Sequence, residues 1–96
     1  MVVHIVMFKF NDENKEANIS KAKEMLNALE SSVETLDSIE VGLNFADEDR
    51  AMDLSIITKF KDKDALSQYA THPEHLKVIE FIKQVVSYTK VVDYTI

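Results

Sequence analysis

VVHIVMFKF, Val2 to Phe10, is the stretch on which the fold turns. It is rich in β-branched and aromatic residues, which fit a pleated strand. Read with a period of two, one side carries Val2, His4, Val6, Phe8 and Phe10, and the other carries Val3, Ile5 and Met7 before Lys9. Both sides are apolar. A strand of this kind must be covered twice, by its own helices on one face and by something further on the other.

The rest of the chain supplies the first cover. After the polar NDENKE, the residues Ile19, Ala22, Met25, Leu26, Leu29 and Val33 recur by threes and fours and predict an amphipathic helix, with Asn14 as its N-cap. Ile39 to Phe45 alternates as a half-buried strand, with Gly42 in its interior pointing to a bulge or a close backbone approach. A short acidic link then leads into a strand over Met52 to Phe60, close enough for a hairpin. Asp62 is placed to cap a short helix that ends near His72, because Pro73 disfavours helical geometry in the residue before it. Proline is welcome in a first helical turn, so a second helix starts at Pro73. Val85 to Ile96 alternates again as the last strand.

This order, β-α-β followed by β-α-β, predicts an α+β, ferredoxin-like βαββαβ subunit: a four-stranded antiparallel sheet with helices on one face, in one domain spanning 1–96. The helices leave the second face of the sheet bare, and an apolar face left in water would amount to several hundred Å². A second copy of the chain on a two-fold axis, sheet against sheet, is the expected cover. The architecture is then a dimeric α+β barrel.

Composition narrows the function. The chain has 96 residues, a net charge of -6 and Arg50 as its single arginine, which argues against nucleic acid. The absence of cysteine excludes disulfides, thiolate metal sites and a cysteine nucleophile. The N-terminal apolar run is too short to span a bilayer and lacks the pattern of a secretory leader, so no membrane association and a cytoplasmic address are expected. One glycine precludes a phosphate-binding loop, and no serine or threonine sits in a nucleophile elbow. HPEH sets His72 and His75 three apart with proline where a metalloprotease helix needs glutamate, so no metal site is expected. Asp47, Glu48 and Asp49 read as a solvated turn, since the calcium-loop pattern is missing.

HIVMFKF at His4 to Phe10, VGLNF at Val41 to Phe45, YATHPEH at Tyr69 to His75 and VVDYT at Val91 to Thr95 together resemble the stress-responsive A/B barrel (Dabb) family. The resemblance runs in order over nearly the whole chain, and the HP.H element and the terminal DYT are its most specific parts. It implies a ferredoxin-like subunit, a homodimer, and a cavity between each sheet and its helices. It does not imply one activity. A plant member closes a linear polyketide by aldol condensation, using a tyrosine and the second histidine of the HP.H element. Tyr69 and His75 match those positions, and His4 and His72 match two further histidines. At strand 3, where that enzyme has another histidine, this chain has Leu54.

Carried over, these matches make His75 a general base and Tyr69 a hydrogen-bond donor to a developing enolate, with His4 and His72 contacting the ligand. The helix dipole at Pro73 would favour a neutral His75. Each residue also has a structural reading. His72 satisfies backbone groups at the helix junction, His75 and Tyr69 pack under the sheet, and His4 is a hydrogen-bonded core histidine. The function expected is binding of a small apolar or aromatic molecule by a homodimer, without cofactor. The alternatives are a cofactor-independent cyclase or lyase, a cofactor-free monooxygenase, or a purely structural dimer.

Overall fold

Val2–Phe10 forms an inner strand because Leu54–Phe60, from the middle of the chain, and Val86–Thr95, from its C-terminal end, pair on either side of it. The computed structural model describes Met1–Ile96, with β1 at Val2–Phe10, α1 at Lys15–Ser32, β2 at Ser38–Leu43, β3 at Leu54–Phe60, α2 at Lys63–Thr71, α3 at Pro73–Val85 and β4 at Val86–Thr95. The sheet order is β2-β3-β1-β4, and every neighbouring pair is antiparallel. This is the ferredoxin-like subunit, with its second helical segment divided at Pro73. No helix is long and apolar enough to cross a membrane.

Register decides which side chains meet. His4 lies between Thr58 and Asp93, Val6 between Ile56 and Val91, and Phe8 between Leu54 and Thr89. That row faces the helices, where Ala22, Leu26 and Leu29 of α1 and Val78 and Ile82 of α3 join Phe8, Phe10, Leu54, Ile56 and Phe60 in the core. The other face carries Ile5 between Ile57 and Val92, and Val3 beside Tyr94. Val3 is buried, but Met7, Tyr88, Val92 and Tyr94 are exposed there, so much of the second apolar face of β1 and its β4 neighbours lies uncovered within the subunit.

The helix ends follow their residues, with one difference. Asp62 accepts the Ala65 N–H at 2.8 Å and caps α2. His72 is extended, as the residue before proline should be, and its Nδ1 accepts the Glu74 N–H at 3.1 Å, which caps α3. Asn14 occupies the N-cap position of α1 but makes no side-chain cap; its backbone is left-handed, with φ 52°, a conformation that asparagine tolerates better than most residues.

The irregularity expected at Gly42 is a close approach and not a bulge. A Cβ there would lie 3.2 Å from Ser55 Oγ on β3, and the backbone φ is not positive. The bulge falls in β4: Phe10 opposes Val86 and Lys9 opposes Tyr88, leaving Ser87 as the extra residue. Ser87 Oγ donates to Asn11 Oδ1 at 2.7 Å and the Asn11 N–H donates to Val85 O at 2.8 Å, so the bulge is pinned on both sides. Its consequence is that Val86 turns toward the helices while Tyr88, of the same parity, does not pair on that face.

Candidate functional site

Between α3 and the sheet lies a cavity of about 490 Å³. Its roof is one stripe of α3, made of His75, Val78, Ile79, Ile82 and Lys83, which the helical period places on a single face. The floor is His4, Val6 and Phe8 of β1 with Ile56 of β3, and the bulged start of β4 closes a side. The bulge therefore shapes the cavity wall. Most of the lining is apolar, which suits a ligand with an apolar body and few polar groups.

Two imidazoles contribute to the polar lining. His75 Nδ1 lies 3.1 Å from the Ala70 carbonyl. A carbonyl only accepts, so the Nδ1 proton is assigned there and Nε2 keeps its lone pair. The His75 pKa is lowered from its ordinary value, first by burial; the Ala70 bond opposes this, and the charges of His4 and His72 reinforce it. The direction agrees with the expectation from the helix dipole, but burial is the main cause. A neutral, tautomer-fixed imidazole thus borders the cavity.

His4 bonds through Nδ1 to the Asp93 carboxylate. The two face each other across the β1–β4 ladder, and the His4 carbonyl accepts the Thr58 hydroxyl at 3.0 Å. Asp93 holds the imidazole by one nitrogen and leaves the other free. The register brings Asp93 here; in the sequence its only mark is its place in VVDYT.

Tyr69 and His72 stand apart from the cavity wall. Tyr69 is 1% exposed, its ring packs 4.1 Å from that of His75 and 5.0 Å from that of Phe60, and its hydroxyl has no hydrogen-bond partner. Burial pushes its phenol up to about 12. His72 is the cap of α3. The structure therefore brings His4 and His75 together at the cavity, sets Tyr69 against His75, and places His72 at the helix junction. Lys83 and Thr58 belong to no motif, and Asp93 is marked only by its place in VVDYT. No group of three histidine or acidic side chains is placed to hold a metal ion.

Residues 2–96 match the Stress Responsive A/B Barrel Domain, Dabb. The chain belongs to the Dabb family. An uncharacterised protein of Streptomyces coelicolor is 35% identical to this Dabb chain over 77 residues, which cover 78% of this chain and 79% of that relative. A dimeric protein of unknown function with a ferredoxin-like fold from Bacteroides fragilis is 31% identical, with a TM-score of 0.91 over 99% of this chain and 95% of that one. Hydroxynitrile lyase from Passiflora edulis, at 17% identity, has a TM-score of 0.87 over 99% of this chain and 92% of its own, a likeness of fold alone.

Proposed function

We propose that this Dabb protein acts as a homodimer whose cavity binds a small molecule with an apolar body, and that His75 is the acid–base group facing it. The carrying observation is a neutral imidazole, fixed in one tautomer, at an otherwise mostly apolar cavity. Dimerisation is supported by the uncovered face with Met7, Val92 and Tyr94, and by the dimeric state of the Bacteroides fragilis protein. An aromatic carbonyl compound titrated into the protein should shift the His75 ring signals in NMR and leave those of His72 in place. Binding that moves neither His4 nor His75 would remove this reading.

A specific observation favours catalysis as a second reading, namely the His4–Asp93 pair beside the same cavity. In a cofactor-independent lyase or cyclase, His75 Nε2 would take a proton next to a carbonyl, and His4, oriented by Asp93, would polarise the oxygen. Tyr69 is not in the cavity wall, so its part is to pack against and position His75, in place of the donor role that the family resemblance implies. Product analysis with carbonyl compounds tests this: His75→Ala and His4→Ala should each abolish turnover while the protein stays folded.

A further inference from the structure

The two ends of the cavity differ in the polar side chains that line them. His75 and Lys83 lie on the same stripe of α3, eight residues apart, which is about 12 Å along the helix axis. The floor has matching length, since His4 to Phe8 on β1 spans about 13 Å. His4 and His75 thus mark one end, and Lys83 marks the other, near the Ser87 bulge. Lys83 is the one lysine in the lining, and no aspartate or glutamate lines the cavity, although the chain as a whole carries a charge of -6.

Resting on the reading that the cavity binds a small molecule, we infer that its ligand is an elongated carboxylate whose acid group meets Lys83 and whose far end reaches the His4 and His75 imidazoles. Lys83 is held by Glu80 at 2.9 Å, but both side chains are largely exposed. Exposed pairs of this kind contribute little, so a ligand carboxylate can replace Glu80 at small cost. A single lysine, a compact point charge without the planar fork of arginine, suits a monoanion better than a doubly charged phosphate. Thr89, also in the lining, supplies a hydroxyl donor on the β4 side, whereas the Ser87 hydroxyl is committed to Asn11. An apolar chain of roughly eight carbons lies within the 12 Å between the two ends set by the helical rise.

The test compares octanoate with octan-1-ol, which share a chain and differ in charge, by calorimetry and by the NMR signals of His75. Octanoate should bind about five- to tenfold more tightly than the alcohol, the scale of one charge-assisted contact at a partly exposed site. Lys83→Gln should erase that preference and Lys83→Arg should restore it, with the thermal midpoint unchanged in both. If octanoate and octan-1-ol bind equally and both shift His75, the carboxylate assignment is overturned while the cavity reading stands. If neither binds, the cavity reading fails and takes this inference with it.

Discussion

His4 and Asp93 sit opposite one another in the β1–β4 ladder, 89 residues apart in the chain, and the imidazole Nδ1 is bonded to the carboxylate. The bond ties the N-terminal strand to the C-terminal one at the edge of the cavity. Asp93→Asn keeps the shape and removes the charge. It should lower the stability by about 0.5–1 kcal/mol, the range for a partly exposed charge-assisted bond, read as a shift in urea midpoint at constant slope. The His4 ring signals should change in the same variant. Unaltered His4 signals would show that the two side chains do not pair in solution.

His75 gives a pH dependence of known sign. Its folded pKa lies below the ordinary value of 6.5 because burial penalises the cation. The unfolded chain therefore takes up the proton first as pH falls. The His75 contribution to stability is complete above about 6.5 and declines as pH drops from there through the folded pKa. Thermal melts of the wild type and His75→Gln across that window should converge toward acid pH. Curves that stay parallel would contradict a depressed His75.

Tyr69 carries a buried hydroxyl with no partner, so removing the oxygen should not destabilise the fold. Tyr69→Phe is expected to match or exceed the wild type by up to about 2 kcal/mol, because an unpaired buried polar group is costly. Tyr69→Ala, which empties the space between Phe60 and His75, should cost about 3–5 kcal/mol. If turnover is found, Tyr69→Phe should retain it. A complete loss there would return Tyr69 to the role of proton donor.

The uncovered sheet face predicts the assembly. Met7 and Val92 are exposed in the subunit, so a charge at either is harmless to the isolated fold and severe at a sheet-to-sheet interface. Met7→Asp and Val92→Asp should shift sedimentation from dimer to monomer at micromolar concentration, with the far-ultraviolet spectrum unchanged. A wild type that sediments as a stable monomer would remove the proposed dimer.

Local chemistry in the sequence was enough to place the strands, the helix break and much of the capping. The alternation in Val2–Phe10, Asp62 ahead of α2, and Pro73 behind an extended His72 all act within a few residues, where periodicity and backbone sterics decide. The bare apolar face was legible for the same reason, since a strand greasy on both sides states that it needs two covers. The site was only half legible. His4 and His75 stand out as imidazoles, yet what each one touches depends on pairing between distant segments.

Only the tertiary structure decided that the bulge falls at Ser87 and not at Gly42, that Asp93 meets His4, that Lys83 lies on the same cavity-lining stripe as His75, and that Tyr69 is enclosed against Phe60. The physical reason is register. A one-residue slip between β1 and β4 would move every β4 side chain to the opposite face, and what holds the register are contacts between the two ends of the chain, the bulge pinned at Asn11 and the His4–Asp93 bond, which no local pattern of residues states.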